Sequence, residues 1–143
     1  MFCGVHRLGD GSRHGRMIVL DRIHDKWSTT FDKQFFGSAW VSDLSHSGRL
    51  SILIDDPLYW RAAASWTDIY DYQGGKWQLS NANHRSFYAG IRDELKRELR
   101  KSDSGRLNSH THRAIIKEAI ARADTILRNS KPVRPQNGVH KGL

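Results

Sequence analysis

The sequence predicts an α+β fold: a mainly antiparallel sheet of about four to six strands over residues 17–80, covered by two C-terminal amphipathic helices. Three observations carry this. β-Branched and aromatic residues concentrate before residue 80, and apolar residues recur at helical spacing after residue 84. Strand-like runs and helix-like runs are also segregated along the chain, where a parallel sheet would need them to alternate.

With 143 residues, 38% hydrophobic and 27% charged, the chain has the material for one ordinary domain with its own core. Residues 1–16 hold Gly4, Gly9, Gly11 and Gly15 with no apolar period, and read as an irregular glycine-rich arm. Residues 17–129 read as a single α+β domain, β-rich over 17–80 and helical over 84–129. Residues 130–143 read as a basic flexible tail, because KPVRPQNGVHKGL offers prolines, glycines and cations but little to bury.

The β-rich part starts with MIVLDRIH at 17–24, a short run of apolar and β-branched residues that fits a strand. WSTTF at 27–31 and FFGSAWVSDL at 35–44 continue this usage, with Asp32 marking a turn and Gly37 a bulge or a close backbone approach. The polar SHSG at 45–48 then links to RLSILID as a β-hairpin, and Leu50, Ile52 and Ile54 of that run share one apolar face. Asp56-Pro57 has the form of a helix start, so LYWRAAASW predicts a short helix. WTDIYDYQ and KWQLS flank Gly74-Gly75, a pair suited to the positive φ angles of a tight hairpin.

In the helical part, Phe87, Ile91, Leu95 and Leu99 fall four apart and form one stripe. Ile115, Ile116, Ala119, Ile120, Ala123, Ile126 and Leu127 form a second, wider stripe. Asn81-Ala82-Asn83 supplies the loop and a cap for the first helix, SDSGR breaks the two, Asn108 or Ser109 caps the second, and Asn129-Ser130 ends it.

Charge divides the chain at the same boundary. Residues 84–143 hold 14 of the 23 Lys and Arg but only six of the 15 acids, which accounts for the whole formal excess of +8; residues 1–83 are neutral. Such an excess suits polyanions: nucleic acid, a nucleoprotein complex or an acidic protein surface. Arg85, Arg92, Lys96, Arg97, Arg100, Lys101 and Arg106 crowd the first helix and its exit, and Arg113 and Lys117 follow on the second, with Arg122 and Arg128 further along. The first nine of these, Arg85 to Lys117, are the predicted contact set, because each phosphate they neutralise releases a counterion. The competing reading is a solvated helix surface with Asp93, Glu94 and Glu98 as local partners.

Catalytic signals are weak. The lone Cys3 excludes an intrachain disulfide and any zinc site of paired cysteines, and suits a reducing cytoplasm. No apolar run nears the ~18 residues of a membrane span, and the N-terminus lacks a signal-peptide core, so neither membrane nor export is expected. His110 and His112 stand two apart on a helix and point in different directions, which reads as a polar helix start instead of a chelate. Asp21, Asp25 and Asp55 near strand ends have the residue types of a Mg²⁺ nuclease without its fuller motif. No phosphate loop or nucleophile elbow is present, and no cofactor or metal is expected.

The sequence therefore predicts a small basic, non-enzymatic binding protein that acts on nucleic acid or a nucleoprotein complex through its Lys/Arg-rich helical face. The alternatives are a protein-binding inhibitor or regulator, of the kind mobile genetic elements encode, of a host nucleic-acid machine such as a defence or transcription complex, and a metal-dependent nuclease. Trp27, Trp40, Trp60, Trp66 and Trp77, with Tyr59, Tyr70 and Tyr72, lie in the neutral half, mostly as core material.

Overall fold

The computed structural model describes residues 2–7, 14–58, 65–101 and 110–130, the first of these segments for its backbone alone. It shows an α+β architecture of two antiparallel sheets and two C-terminal helices. One sheet has the order β1 (Phe2–Arg7), β2 (Gly15–Ile23), β3 (Lys26–Phe35). The other has the order β4 (Ser38–Ser42), β5 (Ser51–Pro57), β6 (Ser65–Gln73), β7 (Lys76–Leu79), and helices α1 (Arg85–Lys101) and α2 (His110–Asn129) follow. Among the described residues no helix is long and apolar enough to cross a membrane.

The layers stack as sheet, sheet, helices, because β5 is covered on both faces. Ile52 and Ile54 point to the three-stranded sheet and pack with Met17, Val19, Phe31 and Phe35. Leu53 points the other way and packs with Ile69, Tyr88, Leu95, Ile116, Ala119, Ala123 and Leu127. Alternation along one strand thus feeds two cores. Residues Ser51 to Ile54 are all buried, where the sequence pattern showed only one apolar face. The expected stripes of both helices face this second core, with Phe87, Ile91, Leu99, Ile120 and Ile126 on its rim; Ile115 is the exception and lines a surface groove instead.

Several expectations need correction. Residues 2–7 are not an irregular arm: they pair with β2 from Phe2↔Leu20 to Arg7↔Gly15, and backbone pairing of this kind needs no apolar period. Gly15 and Arg16 already belong to β2. Asp32 does not turn the chain; it lies within β3 on the outer surface, where Arg16 holds it through bonds of 2.6 and 2.5 Å. The chain bends instead at Phe36-Gly37, between β3 and β4, and the β2–β3 turn is His24-Asp25, both at positive φ, which Asp tolerates better than most residues. Asp56 and Pro57 end β5 instead of starting a helix, since Asp56 is spent accepting from the Phe36 N–H at 2.7 Å. Ser65 and Trp66 of the expected short helix lie in β6, and its residues 59–64 lie outside the described residues. The caps at Asn108 and Ser109 and the tail after Ser130 also lie outside them. Ser130 itself closes α2, its hydroxyl donating to the Ile126 carbonyl at 2.6 Å.

Two glycine expectations hold. Gly74 and Gly75 take φ values of 58° and 84° in the β6–β7 turn. Gly37 carries the chain from one sheet to the other, and an added Cβ would collide with the Asp55 carbonyl oxygen.

One side chain ties the layers together. The Asp68 Oδ1 on β6 accepts from Trp66 Nε1 at 2.9 Å, Asn81 Nδ2 at 3.0 Å and Arg122 Nη2 of α2 at 3.1 Å. Lys33 from β3 approaches its Oδ2 at 3.8 Å. Asn81, in a 3-10 turn over Asn81–Asn83, does not cap α1; its Oδ1 accepts the Ile69 N–H at 2.8 Å on the stretch of β6 that β7 does not reach.

These contacts set the cost of three substitutions. Gly37→Ala should cost about 1–3 kcal/mol through backbone displacement, whereas Gly90→Ala, on an open surface of α1, should gain about 0.5–1 kcal/mol; urea unfolding of both variants gives the comparison. Asp68→Ala strands the indole and amide donors and should cost about 2–3 kcal/mol in the same assay.

Candidate nucleic-acid interface

The candidate interface lies on a helix whose inward direction is fixed by Tyr88 and Leu95. Tyr88 is fully buried, donates its hydroxyl to the Thr67 carbonyl at 2.6 Å, and has its pKa pushed well up by that burial. With the helix anchored in this way, its cations sort by rotation about the axis. At ~100° per residue Arg97 lies about 180° from Tyr88, with Arg100 and Lys96 on the flank that leads toward α2.

The nine expected contact residues fall into distinct groups. Arg85 and Arg92 are held by α2. The Arg85 guanidinium donates to the Leu127 carbonyl near the end of α2, and Arg92 pairs with Asp93 at 3.1 Å and with Asp124 of α2 at 3.7 Å. Lys101 pairs with Glu98 at 3.5 Å. Arg113 is half-buried and engaged with other groups, and Arg106 lies outside the described residues. Lys96, Arg97, Arg100 and Lys117 are exposed. Among the described residues none of these four makes an ion pair.

The two cross-helix contacts also fix the antiparallel register of α1 and α2. Carried forward, it brings the Lys96–Arg100 turn of α1 level with Lys117 of α2. Of the later cations, Arg122 bonds Asp68 and lies 4.2 Å from the Trp66 ring centroid, and Arg128 donates to Thr125 Oγ1 at 3.2 Å. The outward cations thus form one patch on the helical layer, facing away from both sheets. Periodicity shows the cations, but it does not reveal which are already held by a carbonyl or carboxylate of the neighbouring helix.

Elsewhere, a cleft of about 760 Å³ opens at one end of the four-stranded sheet, between Asp21, Arg49, Tyr72, Trp77 and His84. At its floor His84 Nε2 lies 3.0 Å from both oxygens of Asp71, and Ser51 Oγ donates to Asp71 at 2.7 Å. The carboxylate stands between serine and imidazole, so the hydroxyl proton is not delivered to the base and the trio is no nucleophile relay. Trp77 Nε1, buried in the cleft wall, has no partner among the described residues.

The carboxylates of the nuclease alternative are not gathered. Asp21 lines the cleft, as does Ser51, whereas Asp55 lies outside its lining, four residues or ~13 Å of extended strand from Ser51, and accepts from Thr67 Oγ1 at 2.8 Å. Asp25 is exposed and pairs with Arg22 at 3.1 Å. Among the described residues no group of three or more His, Cys, Asp and Glu is placed to hold a metal ion. His110 is exposed and His112 buried, consistent with their divergent directions.

Of the aromatics, Trp66 is core while Trp27, Trp40 and Tyr72 are exposed; Tyr59 and Trp60 lie outside the described residues. Comparison with family models, curated proteins and solved structures finds no match to this chain.

The cleft floor predicts a pH dependence. Burial raises the pKa of the Asp71 carboxyl, but hydrogen bonds from Ser51, Ser80 and His84 outweigh it and hold the group below its ordinary value. The folded protein therefore binds this proton less well than the unfolded chain. The associated stability is complete above about pH 4 and is lost as pH falls through the folded value. Asp71→Asn should flatten the acid limb of a plot of unfolding free energy against pH. A residual slope should remain from Asp32, lowered by Arg16, and Asp43, lowered by the Gly48 N–H.

Proposed function

We propose that this is a small, basic, non-enzymatic binding protein that engages nucleic acid, or the nucleic acid of a nucleoprotein complex, through the outer surface of its helical layer. The observation that carries the reading is the patch of Lys96, Arg97, Arg100 and Lys117, exposed and without an ion pair among the described residues. A cation held by a neighbouring carboxylate gains little from a phosphate, because one favourable pair replaces another. A solvated one releases the phosphate's counterion at small cost.

Cations one, three and four residues apart on a rigid helix can follow a phosphate backbone without reading bases, so binding should be strong in charge and weak in sequence preference. A reducing cytoplasmic setting suits the lone Cys3. The protein-binding inhibitor of a nucleic-acid machine remains the second reading, favoured by the exposure of Trp27, Trp40 and Tyr72 on the neutral half.

Fluorescence anisotropy with labelled single- and double-stranded DNA and RNA over a salt series tests this directly. The affinity should fall log-linearly with salt, and Arg97→Glu with Arg100→Glu should lower it at least about tenfold, reducing the slope by about 0.9 for each duplex phosphate no longer neutralised. The double variant should melt like the parent. Binding that ignores salt or the double reversal would overturn the assignment and favour a protein target.

A further inference from the structure

The four-stranded sheet ends in an unusual edge. In β4, Ser38-Ala39-Trp40-Val41-Ser42, every residue is uncharged, and its outer side has no strand paired to it among the described residues. Trp40 is 40% exposed and Val41 38% exposed, so the strand offers an apolar ring and an apolar branched side chain together with its open backbone. Exposed edges are normally blunted by charge, proline or a bulge. The opposite edge, β7, carries Lys76, and β3 of the other sheet carries Lys26, Asp32 and Lys33. β4 has none of these features, and its register with β5 is unbroken from Ser38↔Asp55 to Ser42↔Ser51.

We propose that β4 pairs antiparallel with β4 of a second copy of this chain. The pattern is self-complementary about Trp40. With that residue on the two-fold axis, Trp40 meets its symmetry mate, Ala39 faces Val41, and Ser38 faces Ser42. Apolar residues then meet apolar ones and hydroxyls meet hydroxyls at every position. A strand from a charged partner would find no counter-charge here. Self-repulsion is also small at this edge, because residues 1–83 are neutral and the excess of +8 lies wholly beyond them.

The symmetry has a geometric consequence. A two-fold axis through an antiparallel strand pair is perpendicular to the sheet, so both copies present the same face to the same side. Two four-stranded sheets become one of eight strands, with both helical layers on one side and both Trp40 rings between them, since Trp40 pairs with the helix-facing Leu53. Its use, a doubled cationic platform for one polyanion, rests on the function proposed above. The pairing itself does not. A five-residue strand buries less than the roughly 1,000 Å² of a stable interface, so the dimer should be weak and concentration-dependent.

Sedimentation velocity without nucleic acid is the test. The parent should shift from monomer toward dimer as concentration rises from low micromolar to submillimolar, and Trp40→Lys should stay monomeric while keeping the parent's circular dichroism and melting temperature. Independently, Ser38→Cys with Ser42→Cys in a Cys3→Ser background should give an interchain disulfide on mild oxidation, because the two positions face each other across the axis and are too far apart within one strand. Arg97→Glu with Arg100→Glu should dimerise like the parent, and Trp40→Lys should still bind a short oligonucleotide with the parent's salt dependence, so failure of the edge and failure of the helical patch are read separately. A parent that stays monomeric throughout, or a dimer that Trp40→Lys leaves intact, would overturn the proposal.

Discussion

Asp68 is the point on which the three layers lock. Its carboxylate collects the indole of Trp66, the amide of Asn81 and the guanidinium of Arg122, with the ammonium of Lys33 nearby. Each donor comes from a different place: β6 itself, the turn before α1, α2, and the facing sheet. A half-buried carboxylate needs such partners to offset its desolvation, and these partners need it in turn, since Trp66 and Asn81 are buried. The mutual requirement fixes α2 against the edge of β6. From there, Arg85 and Arg92 fix α1 against α2.

That chain of contacts decides which charges remain unpaired on the helical layer. Arg122, Arg92 and Arg85 are held by groups of neighbouring elements as the layers assemble, and Arg97 and Arg100 are left without such partners among the described residues because they lie on the side of α1 away from Tyr88 and Leu95. The outward cationic patch is in this sense a by-product of packing. It is the surface that the core does not use and that no neighbouring carboxylate among the described residues neutralises.

Much of the fold was legible in the sequence because its signals are local. Gly74-Gly75 makes the hairpin, the stripe Phe87, Ile91, Leu95, Leu99 makes the helix, and Gly37 marks a backbone approach. What was not legible depends on partners distant in the chain. The burial of Leu53 needs the helices, and that of Ile52 and Ile54 needs a second sheet whose existence no single strand announces. Residues 2–7 join that sheet by backbone pairing, which leaves no mark on composition. Asp32 looked like a turn residue because Asp often is one; Arg16 on the adjacent strand makes it a strand residue. The site was half legible for the same reason: a charge count locates the cations, but only tertiary structure shows which of them are already held.

The division between held and outward arginines is best tested by following the arginine Nε–Hε resonances by NMR while a short DNA duplex is added. The signals of Arg97 and Arg100 should move first and furthest, with Arg85, Arg92 and Arg122 nearly still. Equal movement of all five, or shifts that gather at Trp77 and Tyr72 in the cleft while the helix stays silent, would contradict that division.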